Sequence, residues 1–214
     1  MLKIKNLSFL IDEKTPLYGG INNLISIKNE RSITRGDKVN TSRYNFPNHI
    51  STHIDFPYHF SENGKKLEDY PPEFWYFNKV GFIKSDVNNV TNHLEKLDKS
   101  IEILILKTGF GSKRNSKKYW MNQPIIRSEL ADIFREKFKK LRVFGFDLIS
   151  LTSQIDKIEG TKAHNQFLLK NNILVLEDMN LGHLNDCPDK IIISPLLIKG
   201  ADGVPCNVIS INEK

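Results

Sequence analysis

Three of the six histidines in this chain, His49, His53 and His59, fall within one short stretch, NHISTHIDFPYHF at 48–60, with Asp55 between the second and third. Imidazole nitrogens and carboxylate oxygens are ordinary ligands for borderline divalent metals. Two histidines and one aspartate form a partial shell for Zn²⁺ or Mn²⁺, with positions left over for water or substrate. The pattern H-x3-H-x-D-x3-H sets His59 just beyond the first three, close enough to give or take a proton at a water held there. A polar loop of solvated histidines is the bland alternative, and four ligand-type residues at this spacing argue against it.

The backbone must meet a condition for these groups to converge. A helix would turn Asp55 about 120° away from the face shared by His49 and His53, and Pro47 and Pro57 disfavour a helix in any case. On a strand, positions 49, 53 and 55 face one side. His53 and Asp55 would then have Cα atoms about 7 Å apart, but His49 would lie about 13 Å from His53. The chain is therefore expected to bend at Ile50–Ser51–Thr52, as bulged strands do beside active sites.

A frame of buried strands would carry this segment. Apolar, β-rich runs recur at 7–11, 80–87, 101–108, 141–147, 172–178, 190–198 and 205–211, several of them continuous enough for burial on both faces. One helix is expected from Ser128 as N-cap, with Leu130, Ile133, Phe134, Phe138 and Leu141 forming its apolar stripe. A second is expected over Lys162 to Lys170. Glu177 closes the run NILVLED, and an ionised carboxylate at the end of a buried strand needs a partner, either a metal or a lysine or arginine. His93 and His183 read as surface or peripheral positions.

Composition bounds the rest. With 214 residues, 39% hydrophobic and 26% charged, the chain is globular and long enough to bury a core without staples. Strands with a few helices and no repeat or linker imply one α/β or α+β domain over 1–214. The two cysteines, Cys187 and Cys206, form no CxxC pair and suit a reducing compartment with buried thiols. The N-terminal apolar run is too short for a signal peptide, and no run is long enough for a membrane span. A cytoplasmic protein is expected, with no membrane partner. The net charge of +6 draws on KRNSKK (113–118) and KFKKLR (137–142), but no nucleic-acid-binding motif accompanies them, so no nucleic-acid partner is expected.

HISTHIDFPYHF resembles the signature of the cyclase-like metal-dependent hydrolases, H-x-G-T-H-x-D-x-P-x-H-F, a family that includes kynurenine formamidases and isatin hydrolases. Ser51 stands where that pattern has glycine. TPLYGG (15–20), GFDLISL (145–151), AHNQFLLKNNILVLEDMNL (163–181) and GADGVPCNVISI (200–211) are similar to further segments of the family in the same order, with Asn207 where arginine is common. The resemblance implies an α/β fold of the swivelling β/β/α type, one or two zinc or manganese ions per subunit, and a homodimer or homotetramer. It implies that His49, His53 and Asp55 hold one ion and that Asp55, His164 and Glu177 hold a second. His59 would relay protons in the hydrolysis of a small amide, lactam or lactone, with N-formyl-kynurenine the leading substrate. A member that binds metal without catalysis is the other expectation. Aromatic side chains near the motif, Tyr18 and Trp75 among them, are candidate walls for an aryl substrate.

Overall fold

The computed structural model describes residues 1–213. Its centre is a mixed sheet that begins with four parallel strands, β6 (Val80–Lys84), β7 (Ile103–Lys107), β8 (Val143–Phe146) and β9 (Leu174–Glu177). Every residue of β7, β8 and β9 is buried, as their near-continuous apolar sequences require. From β9 the sheet continues antiparallel through β4 (His53–Asp55) to β11 (Gly203–Glu213), β10 (Lys190–Pro195) and β5 (Tyr76–Phe77). The long β11 shares one edge between β4 at its start and β1 (Leu2–Asn6) at its end. The two ends of the strand order, β5 and β6, are separated in the chain by only Asn78 and Lys79. So short a link brings the sheet's edges together, and the sheet curls into a nearly closed barrel.

Three short α-helices among the described residues attach to this frame: α1 (Lys117–Met121), α2 (Glu129–Lys137) and α3 (Lys157–His164). From α2, Phe134 packs on Phe144 of β8 with ring centroids 5.1 Å apart. Phe167, just past α3, stacks on the same ring at 5.3 Å. No helix among the described residues is long and apolar enough to cross a membrane.

The strand-rich α/β architecture agrees with the sequence reading, while several boundaries move. The first strand is Leu2–Asn6 rather than 7–11, although Leu7 N–H still donates to Val208 O at 2.7 Å. Ser128 has helical dihedrals and caps nothing with its side chain. Instead its N–H is satisfied by Glu159 Oε1 at 2.7 Å. Phe138 and Leu141 are buried but lie past the end of α2. The expected helix at 162–170 starts earlier, at Lys157, where Asp156 accepts from Glu159 N–H, and residues 165–170 form one wide turn beyond it. Cys206 is buried, whereas Cys187 is exposed. A hairpin of β2 (Ser26–Arg31) and β3 (Thr41–Asn45) went unanticipated because SIKNER and TSRYN carry no alternation of apolar and polar residues.

Candidate active site

Strand pairing assembles the centre. Within the three residues of β4, His53 and Asp55 point to one face. Across β4, His53 is paired with Glu177 of β9, and Asp55 with Gly203 of β11. Residues directly opposite one another in an antiparallel pair share a face, so Glu177 joins His53 and Asp55 although it lies 122 positions beyond Asp55 in the sequence. The last residue of α3, His164, closes the ring. His53 Nε2 lies 3.5 Å from Asp55 Oδ1 and 3.3 Å from Glu177 Oε2; His164 Nε2 lies 3.4 Å from Asp55 Oδ2 and 3.5 Å from Glu177 Oε1. All four side chains are buried.

The chain bends where the spacing required it. Ser51 has φ +54°, in the left-handed region, and the turn there directs Ser51 O to within 2.8 Å of His53 Nδ1. Asp178, the residue after Glu177, is also left-handed at φ +48°. Arg114 binds both Asp178 carboxylate oxygens through Nε and Nη2 and lies 3.5 Å from Ser51 Oγ. Thr52 Oγ1 donates to Asp178 O at 2.6 Å, and Tyr119 Oη donates to Asp178 Oδ1 at 2.6 Å. One buried network therefore fastens the two left-handed residues that flank His53 and Glu177. It leaves Asp178 pushed up by burial despite the partnership of Arg114 and Tyr119.

Past the bend, His49 returns to the same centre. Its Nδ1 lies 2.9 Å from Asp55 Oδ1 and its Nε2 3.0 Å from Asp202 Oδ2. The ring lies directly over Gly203, where a Cβ would fall 2.4 Å from His49 Cε1. His59 sits 4.1 Å from the His49 ring, centroid to centroid, with Nδ1 3.2 Å from the same Asp202 oxygen. Asp202 also accepts from Asn48 Nδ2 at 3.1 Å. Its hydrogen bond from His49, against the cost of burial, holds Asp202 well below the usual carboxylate range. An ionised carboxylate only accepts, so His59 Nδ1 donates to it and His59 Nε2 keeps its lone pair. Burial and the charges of His49 and His164 lower the His59 pKa, against the pull of Asp55 and Asp202.

The two buried carboxylates have no lysine or arginine within reach: their ion-pair partners among the described residues are His49, His53 and His164. Without a metal, the imidazoles take up the compensating charge. Burial disfavours that charge, but Asp55, Asp202 and Glu177 outweigh it, raising His49 to about 10 and His164 to about 9. Burial raises Asp55, yet the charge of His49 and the hydrogen bonds from His164 and His49 hold it well below its usual range.

This donor set fits a divalent cation. One ligand atom from each of His53, Asp55 and Glu177 lies within 4.8 Å of the other two, and His164 Nε2 faces the second oxygen of each carboxylate at 3.4 and 3.5 Å, a set of nitrogen and oxygen donors that zinc and manganese accept. Each imidazole also has its second nitrogen committed: His53 Nδ1 to Ser51 O, His164 Nδ1 to Gly160 O at 2.9 Å, and His49 Nε2 to Asp202. Such outer partners fix the tautomer and ring orientation of a ligating histidine. Two groups of potential ligands, His49–Asp55–His59 and His53–Asp55–Glu177, share Asp55. His53 is thus grouped with Glu177, which the resemblance assigns to the second ion, while its ring also lies 5.2 Å from that of His49.

The centre opens into a cavity of about 270 Å³, lined also by Pro16, Tyr18, Phe60, Ile149, Ser150 and Thr152. Burial, then the charge of Glu177, raises the Tyr18 pKa. Trp75 lies elsewhere, packed edge-on against Phe56 and lining a separate hollow with Tyr70, Tyr76 and Leu197. His183 is exposed and lies outside the lining. Several groups that hold the centre were not singled out from sequence. Asp202 lies within GADGVPC, and Ser150 Oγ and Leu151 N–H, both donors to Glu177 Oε1, lie within GFDLISL. Both segments resemble the family's, but nothing in their spacing to the histidine stretch shows that they meet it.

Comparison with known proteins gives this geometry a family. The Cyclase family model, described as "Putative cyclase", matches residues 5–153, more than half of the chain. The chain belongs to the Cyclase family. It is 33% identical over 176 residues to a kynurenine formamidase of Bacillus thuringiensis subsp. konkukian (strain 97-27), a match covering 80% of this chain and 79% of that one. A kynurenine formamidase of Bacillus anthracis is 32% identical over the same shares. Among solved structures, isatin hydrolase A from Labrenzia aggregata superposes with a TM-score of 0.83 at 17% identity, covering 100% of this chain and 94% of that one. A potential metal-dependent hydrolase with cyclase activity superposes with a TM-score of 0.77 at 19% identity over the full length of both. These likenesses show the same fold.

Proposed function

We propose that this protein is a metal-dependent hydrolase that cleaves a non-peptide C–N bond, with an aryl formamide such as N-formyl-kynurenine as its substrate. The observation that carries the reading is the buried cluster of His53, Asp55, His164 and Glu177, in which two imidazoles face two carboxylates that have no lysine or arginine among their ion-pair partners. Similarity to the kynurenine formamidases supports the choice of an aryl formamide. His49, His53, Asp55, His164 and Glu177 would hold one or two ions of zinc or manganese, with Asp55 shared. A bound ion supplies Lewis acidity, lowering the pKa of a water and polarising the scissile carbonyl.

The chain's own groups do the rest. His59, which lines the cavity and keeps a lone pair on Nε2, takes a proton from the attacking water and returns it to the leaving nitrogen. Asp202 holds His59 in that tautomer through Nδ1. Phe60, stacked on His164 with centroids 4.5 Å apart, and Ile149 form an apolar wall for an aryl group.

The test joins elemental analysis of the purified protein to turnover of a panel of aryl formamide, lactam and lactone. Stoichiometric zinc or manganese with preferential formamide hydrolysis is expected. Preference for the lactam or lactone would redirect the substrate class. A protein that acquires no metal and gains no stability on adding either ion would refute the reading.

A further inference from the structure

Tyr18 carries a hydroxyl that the protein encloses and leaves without a hydrogen-bond partner. Buried polar atoms are nearly always paired, so such an atom calls for an explanation. Its ring lines the same cavity as His53, Asp55, His59 and Glu177. Every other polar side chain of that lining has a partner in the protein: His59 and His49 have Asp202, Ser150 has Glu177, Thr152 has His164, and Ser51 has Phe9 O.

The backbone beneath Tyr18 is built to hold it still. Gly19 and Gly20 are consecutive left-handed residues, with φ +71° and +69°. A Cβ at Gly19 would fall 2.8 Å from Gln154 Nε2, and one at Gly20 would fall 2.5 Å from Trp120 Nε1. Gly20 N–H closes the turn on Leu17 O at 2.9 Å. The backbone that carries the phenol is therefore set before any ligand arrives, and such preorganisation favours a donor that acts on developing charge.

We propose that Tyr18 Oη donates a hydrogen bond to the carbonyl oxygen of the substrate, and that this bond strengthens as water adds and that oxygen becomes anionic. No proton is transferred, and no bond to tyrosine forms. The role rests on the hydrolase reading above and goes beyond a wall for the aryl ring: Tyr18 would be a catalytic residue whose hydroxyl, not its ring, carries the effect.

The experiment is Tyr18→Phe in the metal-loaded protein with an aryl formamide. Removing one preorganised donor of this kind lowers kcat by roughly 10²-fold or more. KM is expected to stay within about threefold, because the ring and its apolar contacts remain. The pH–rate profile should keep its shape and the bound metal per chain its value. The metal-free variant should unfold at no lower temperature than wild type, since no protein partner is lost.

Unchanged kcat, or a rise in KM alone, would overturn the proposal in favour of a passive wall. An acidic limb displaced along the pH axis would overturn it in favour of a contact to the attacking water. Lost metal or a lowered unfolding temperature would mark a structural role instead. If wild type turns over none of the panel, the hydrolase reading falls and takes the Tyr18 role with it; if wild type is active and Tyr18→Phe matches it, only the Tyr18 role falls.

Discussion

At the residue scale, the centre depends on how each imidazole divides its two nitrogens. His59 gives Nδ1 to Asp202, and the residue lines the cavity. His59→Ala is expected to reduce kcat by about 10²- to 10⁴-fold, the usual worth of a positioned acid–base group, while the metal stays bound. Unchanged turnover with full metal content would remove His59 from the proton path. Asp202 serves two rings, His59 and His49, through one oxygen. Asp202→Asn therefore has a double signature, in kcat and in metal affinity, each lowered by roughly 10- to 100-fold as for other outer partners of metal ligands. Stopped-assay kinetics at saturating metal and a chelator competition separate the two. Loss of only one would assign Asp202 to one ring.

At the element scale, the decisive feature is the left-handed turn at Ser51. An L-residue there costs roughly 1–2 kcal/mol, while glycine loses about 0.5–1 kcal/mol through greater freedom in the unfolded chain. The two contacts of Ser51 Oγ are long, 3.3 Å to Phe9 O and 3.5 Å to Arg114 Nη2. Ser51→Gly should therefore stabilise the protein, by at most about 1 kcal/mol, with metal affinity unchanged because it is the Ser51 carbonyl, not its side chain, that holds His53. Denaturant unfolding measures this, and a net loss of stability would show that the hydroxyl contacts outweigh the backbone strain. Serine is held at this turn because the next residue, Thr52, is tied to Asp178 at the end of the neighbouring strand, and Arg114 holds Asp178 in turn.

At the scale of the whole molecule, metal, protons and stability are linked. In the metal-free protein His49 titrates near 10 and His164 near 9, so both are protonated at neutral pH and must lose those protons to act as ligands. Metal uptake should release protons, and affinity should rise with pH towards 9. The raised imidazole pKa values have the opposite consequence for the metal-free fold. Their stabilising contribution is complete below the unfolded value of about 6.5 and fades as pH climbs through 9 to 10. The gap in stability between loaded and metal-free protein should therefore widen with pH. At 100 times Kd an ion adds about 2.7 kcal/mol. Calorimetry in two buffers of different ionisation enthalpy reads the protons, and thermal unfolding with and without chelator reads the gap. Binding without proton release would contradict the charge state assigned to the cluster.

The sequence by itself determined the chemistry and its local condition. The ligand types, the spacing 49, 53, 55, 59 and the bend at 50–52 all lie within one stretch, where strand periodicity converts sequence offset into distance. The buried parallel strands were legible for a similar reason: unbroken apolar runs such as ILILK have no other stable place. What lies beyond the stretch was decided only in three dimensions. Glu177 could as well have met a lysine as a metal until the β4–β9 register set it opposite His53. Asp202 reached His59 because β11 pairs with β4, and Trp75 went to the core beside Phe56 instead of the cleft. The polar hairpin at 26–45 had no periodic signal to announce it. Local geometry is written in neighbouring residues, but which distant segments share a strand edge depends on the packing of the whole barrel. That packing brings two carboxylates from different strands and a histidine from a helix end to one buried point.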